Sequence, residues 1–246
     1  MTDKSYSDGE GEYSYISENI RAVRERIERA ARRAGRDPGE ITLMAVSKTK
    51  PVEAIRAAFA CGVTLIGENR VQELAEKLPL LDMNGRSAHL IGHLQTNKVK
   101  YIADKVDMIQ SLDSLRLAQE IERQAQRAGR RLPVLVEVNI GREDAKSGVA
   151  PEDAESFAEA AAAFPHLEIQ GLMAVPPVPE GGDVEKTRPY FTQMRKLFID
   201  IARKKRDNIN MHILSLGMSA DFEVAIEEGS TLVRVGTSIF GKRRYA

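Results

Sequence analysis

Ile41-Thr42-Leu43-Met44-Ala45-Val46-Ser47-Lys48 is the stretch whose reading decides the fold. Apolar residues fall on both of its faces, the pattern of a strand buried on both sides in a parallel sheet. Such strands carry their chemistry at their carboxyl ends, where Lys48 stands, followed by Thr49-Lys50-Pro51. A lysine there serves as a plain counter-charge for a small anion or, with its amine neutral, as a Schiff-base nucleophile.

Before that strand, Ile16, Ile20, Val23, Ile27 and Ala30 recur at helical spacing among arginines, so residues 14–35 are expected to be helical. After it the pattern repeats. Expected strands are 63–66, 88–91, 106–111, 134–140, 167–175, 209–215 and 231–235. Between them stand expected helices 51–61, one running to about Leu80, 97–104, 113–128 with Asp113 as N-cap, 151–163, one running to about Lys205, and 220–229. Strands alternating with helices imply a parallel sheet, and eight such units in 246 residues suit a (β/α)8 TIM barrel with an extra N-terminal helix. An open doubly wound sheet is the runner-up, but Ser47-Lys48-Thr49 is not the Gly-rich dinucleotide turn that such a sheet carries after its first strand. No linker-like stretch divides the chain. Residues 1–12, polar and acidic, are expected to be a flexible leader, and 13–246 one barrel domain.

The bulk numbers narrow the partners. Lysine plus arginine equals 36 and aspartate plus glutamate equals 36, so no global field favours nucleic acid or an anionic membrane. Cys61 is the single cysteine, which excludes an internal disulfide and suits a reducing cytoplasm. No apolar run approaches the roughly 20 residues that span a bilayer.

In a barrel, the loops after the seventh and eighth strands often form a phosphate site. Here they are Ser215-Leu216-Gly217-Met218-Ser219 and Gly236-Thr237-Ser238. Their small residues let backbone N–H groups point at an anion, and Ser215, Ser219 and Thr237 add hydroxyl donors. Ordinary turns and an N-cap are the competing explanation. With Lys48 across the mouth, a phosphorylated aldehyde is a sensible ligand. Arg234, among Leu232, Val233 and Val235, needs a partner near the rim, either a ligand or a structural salt bridge. Asn69 is either an amide donor to a ligand or a helix N-cap.

Taken together, Ala45-Val46-Ser47-Lys48-Thr49-Lys50, Gly67-Glu68-Asn69, His89-Leu90-Ile91-Gly92-His93-Leu94-Gln95-Thr96-Asn97-Lys98, Ser147-Gly148, Gly171-Leu172-Met173, Leu214-Ser215-Leu216-Gly217-Met218-Ser219 and the run from Val233 to Gly241 resemble the pyridoxal phosphate homeostasis protein family. The likeness runs in matching order from about residue 13. It implies a barrel like the N-terminal one of alanine racemase, with pyridoxal 5′-phosphate (PLP) as an internal aldimine on Lys48. Ser215, Ser219, Gly236 and Thr237, with the Gly217-Met218 backbone between them, would hold the phosphate. Arg234 would face the pyridine nitrogen, and Asn69 and Met173 would line the pocket. The resemblance also implies a carrier that hands the cofactor to apo PLP-dependent enzymes, and without a racemase-like second domain a monomer is the simpler expectation.

The competing reading is a racemase- or decarboxylase-like enzyme. PLP is the best electron sink when its ring nitrogen is protonated, and an arginine cannot accept that proton. Alanine racemase also has an arginine there, but adds a C-terminal β domain and a tyrosine base from its dimer partner. Tyr245 is the only late tyrosine here. A non-catalytic holder is therefore expected. His89 and His93 are read as strand and turn residues and not as metal ligands, Lys50 as solvated, and Cys61 as packing. The basic run 203–206 is read as an exposed helix end and 242–244 as a solvated tail, neither needing RNA.

Overall fold

Strand β1 (Thr42–Val46) pairs in parallel with β2 (Leu65–Glu68) on one side and β8 (Leu232–Val235) on the other. Between them β3 (Ser87–Leu90), β4 (Met108–Leu112), β5 (Leu132–Glu137), β6 (Leu167–Met173) and β7 (Ile209–Met218) follow in chain order, closing an eight-stranded barrel. This computed structural model describes residues 11–242. Residues 1–10 of the expected leader and Arg243, Arg244 and Tyr245 lie outside them.

Helices cover the outside: α1 (Tyr15–Arg33), α2 (Val52–Ala60), α3 (Val71–Lys77), α4 (Leu115–Arg127), α5 (Ala154–Ala162), α6 (Arg188–Arg203), α7 (Phe222–Glu227) and α8 (Thr237–Phe240). The main core lies between strands and helices, where Ile16, Ile20, Ile55, Ile66, Phe191 and Phe222 are at most 1% exposed. Met194 and Ile201 on α6 face that core, as their spacing predicts. Among the described residues no helix is long and apolar enough to cross a membrane.

Inside the barrel, the two-residue period of a strand decides what each layer contains. The floor is apolar: Met44, Leu65 and Leu232 form one cluster, and Met108, Leu135 and Met173 another. Two residues further along come Val46, Gly67, Gln110, Val175 and Arg234. Gly67 is glycine for a packing reason: a Cβ there would stand 2.4 Å from Met44 Sδ. In this layer polar side chains, Gln110 and Arg234, join the apolar ones.

Several boundaries differ from the sequence-based expectation. Strand β2 starts and ends two residues late, because pairing with β3 carries it through Gly67 and Glu68. The expected helix 97–104 is a 3-10 helix, Thr96–Tyr101. Val99 and Ile102, three apart and fully buried, fit the three-residue turn of that helix. Ser114, not Asp113, caps α4, its hydroxyl accepting from the Leu117 N–H. Strand β7 runs three residues further than expected, to Met218, across a register shift against β8.

Candidate functional site

The barrel mouth holds a cavity of about 420 Å³ between the ends of β1, β2, β7 and β8. Lys48 lines it from the turn after β1, and Asn69 from the end of β2. Met218 and Arg234 line it from β7 and β8, and Ser219, Gly236 and Thr237 from the segments that follow those strands. Lys48 and the hydroxyl-bearing loops thus line one cavity.

The loops after β7 and β8 interlock through Ser219. Its hydroxyl oxygen accepts from the N–H groups of Gly236, at 3.1 Å, and Ser238, at 3.3 Å. Two amides converging on one oxygen mark a place suited to anionic oxygens. Asp221 fixes the first loop by accepting from the Met218 N–H at 2.7 Å. The far end of α8 is held by other elements: Tyr15 Oη and Lys50 Nζ donate to the Phe240 carbonyl, and Asn19 Nδ2 to that of Ile239. The extra N-terminal helix therefore braces the short helix that follows Gly236 at the cavity. Lys50 lines the cavity and donates to the carbonyls of Phe240 and Gly241, so the expectation that it is solvated is corrected.

Arg234 is 4% exposed and has no salt bridge among the described residues. It donates to the Ser215 carbonyl at 2.6 Å, to the Ser215 hydroxyl at 2.7 Å and to the Ala174 carbonyl at 2.8 Å. Burial draws its pKa down to about 10, against the nearby charges of Asp221 and Glu137. The hydrogen bonds behind it have one direction. An arginine can only donate, so the Ser215 proton goes to Gln110 Oε1, at 2.8 Å, and Gln110 Nε2 donates to His89 Nδ1 at 2.9 Å. His89 must then be unprotonated at Nδ1, in keeping with a pKa lowered to about 4 by burial.

Three of the ten expected site residues do not reach the cavity. Met173 sits one layer too deep, 1% exposed in the apolar floor; Val175, two residues on, lines the cavity instead. Ser215 is fully buried beneath Arg234 and supports it. Gly217 points outward, where a Cβ would meet Ala225 Cβ at 2.7 Å and Phe222 Cα at 2.8 Å. Its φ of 86° and this close approach are sufficient reason for a glycine there.

Asn69 is not a helix cap. Arg70 occupies the N-cap of α3 with no side-chain cap bond, and Asn69 Oδ1 is buried without a partner among the described residues. Val46 and Ile91 also line the cavity. The signal for Val46 and Val175 was present in the sequence, since each lies two residues from an expected site residue within the same expected strand. His93 is 3.3 Å from Asp113, and no metal-ligating group of three forms among the described residues.

The family described as the N-terminal domain of alanine racemase matches residues 19–244. A pyridoxal phosphate homeostasis protein of Aquifex aeolicus is 45% identical over 228 residues, covering 93% of this chain and 98% of that protein. PipY of Synechococcus elongatus, solved with PLP bound, is 32% identical with a TM-score of 0.79, covering 92% of this chain and all of that one. An alanine racemase of Corynebacterium glutamicum, 18% identical with a TM-score of 0.72, shares the fold over 94% of this chain and 62% of its own. The chain belongs to the alanine racemase N-terminal domain family and, within it, to the pyridoxal phosphate homeostasis proteins.

Proposed function

We propose that this family member binds pyridoxal 5′-phosphate at the mouth of its barrel and acts in PLP homeostasis as a holder, with Lys48 as the point of covalent attachment. The observation that carries the reading is one 420 Å³ cavity lined by Lys48, by Arg234 and by the amide- and hydroxyl-bearing loop residues Ser219, Gly236 and Thr237. The names of the curated relatives and the PLP bound to PipY support it.

The residues present fit this group. When bound, it supplies a reactive aldehyde and a pyridine ring able to accept electrons. Ser219, Gly236 and Thr237 would hold its phosphate, with the Met218 backbone beside them, and Asn69 would offer its amide to a ring oxygen. Lys48 would hold the group through its uncharged amine, whose two hydrogens would leave with the aldehyde oxygen as water, so no oxidant would be needed. Arg234 has no proton-accepting atom and would leave a ring nitrogen facing it unprotonated. A neutral ring makes a poor electron sink, which suits storage and hand-over to apo PLP-dependent enzymes better than turnover.

The setting we assign is a monomer in a reducing cytoplasm, in keeping with the unpaired Cys61. Borohydride reduction of the PLP-loaded protein followed by peptide mapping tests the attachment. The label is expected on Lys48 and absent from Lys48→Ala; label elsewhere sinks the proposal. Steady α-hydrogen exchange from any L-amino acid would favour the racemase- or decarboxylase-like reading instead.

A further inference from the structure

Lys48 stands in a strained turn. Thr49, a β-branched residue, has φ of 63°, a left-handed conformation that persists only where its neighbours over-determine it. The neighbours are a small ionic cluster. Lys77 Nζ, at the end of α3, donates to the Ser47 carbonyl at 2.8 Å, to Glu68 Oε1 at 2.7 Å and to Glu73 Oε1 at 2.6 Å. Ser47 Oγ donates to the same Glu68 oxygen at 2.7 Å, and the Thr49 N–H donates to the same Glu73 oxygen. The residue before Lys48 and the residue after it are thus both tied to one ammonium, and through it to β2 and α3.

This is a costly way to fill space. Ser47 and Glu68 are fully buried and Lys77 is 8% exposed. Glu68 Oε2 has no hydrogen-bond partner among the described residues, and burial raises the Glu68 pKa against the pull of Lys77 and Ser47. Buried charge of this kind often stabilises a fold less than apolar side chains of similar volume would. Its contacts, however, converge on the two peptide units that set where Lys48 points.

We propose that Lys77, with Glu68 and Glu73, is a positioning element that holds the Ser47–Thr49 turn so that the Lys48 amine meets an aldehyde in the cavity. The inference rests on the reading of Lys48 as the attachment point.

Replacing Lys77 would strip the partner from buried Glu68 and risk the fold, so the test uses Glu73, whose side chain is 21% exposed. Glu73→Ala removes the acceptor of the Thr49 N–H and leaves Lys77 paired with Glu68. Glu73→Gln keeps an acceptor oxygen. Each is titrated with PLP and with 4′-deoxypyridoxine 5′-phosphate, which lacks the aldehyde and reads the cavity without Lys48 chemistry. Glu73→Ala is expected to weaken PLP binding and slow borohydride-trapped labelling of Lys48 by about ten-fold, the effect of a displaced reacting group. Its affinity for the deoxy compound should stay within about two-fold of wild type, and Glu73→Gln should restore most of the labelling rate. Equal losses for both ligands, or unchanged capture in Glu73→Ala, overturn the inference while leaving the attachment site intact. Wild-type protein unlabelled at Lys48 overturns the attachment reading itself.

Discussion

Two buried cations support the cavity, and the protein satisfies them in opposite ways. Lys77 meets two carboxylates within 2.7 Å and one carbonyl, so its charge is neutralised where it stands. Arg234 meets two carbonyls and a hydroxyl, with no carboxylate at ion-pair distance among the described residues. Its support continues through neutral groups only, Ser215, Gln110 and His89. A cation already paired with carboxylates has little left to offer a ligand, and Lys77 does not line the cavity. One held by neutral dipoles keeps its charge, and Arg234 does line it. Residue type alone, a buried basic side chain near a strand end, would not have separated the two.

Removing each cation should break the symmetry most visibly. Lys77→Met leaves Glu68 buried without its counter-charge and is expected to cost about 3–5 kcal/mol in urea unfolding at pH 7. Arg234→Met leaves only neutral oxygens unpaired and should cost less, about 1–3 kcal/mol. Equal costs would mean that Arg234 is neutralised by a group that the contacts above do not include.

The neutral relay behind Arg234 predicts a pH dependence. His89 has an ordinary value of 6.5 and is held to about 4 in the fold by burial. Between those values the unfolded chain binds a proton that the folded chain does not. Stability should therefore fall as pH drops from about 6.5 to about 4, by up to about 3 kcal/mol. His89→Gln keeps an acceptor for Gln110 and removes the titration, so its stability curve should be flatter across that window. An unchanged slope would place the titrating group elsewhere.

The smallest effect concerns the oxygen on which two amides converge. Ser219→Ala leaves the Gly236 and Ser238 N–H groups without that acceptor. About 1 kcal/mol is expected, a fall of roughly 2–4 °C in melting temperature, and phosphate-bearing ligands should recover it in part. A variant that melts like wild type would mean that solvent satisfies both amides equally well.

Much of this was legible beforehand, for identifiable reasons. Ile16, Ile20, Val23 and Ile27 announce α1 because a 3.6-residue period can be read from one segment alone. The alternation of apolar strands with helices announces a parallel barrel, and Lys48 at the tip of the first strand follows from that. The depth of Met173 and Ser215 was not legible. Strand period gives the side on which a residue faces, but the layer depends on how eight strands are staggered around the closed barrel. The packing at Gly217 was not legible for a related reason, since only the packing of α7 against β7 shows what its missing Cβ avoids.

By itself the sequence determined the order of strands and helices, the absence of a dominant charge field, and the lysine, arginine and hydroxyl-bearing loops that a phosphorylated aldehyde would need. These are properties of composition and local period, which need no partner to be defined. The tertiary structure alone decided that Lys77 joins Ser47, Glu68 and Glu73 around the Lys48 turn, and that Ser215, Gln110 and His89 stand in line behind Arg234. Hydrogen bonds and charges act over a few ångströms of space, whatever the chain separation, and Ser215 and Gln110 are 105 residues apart.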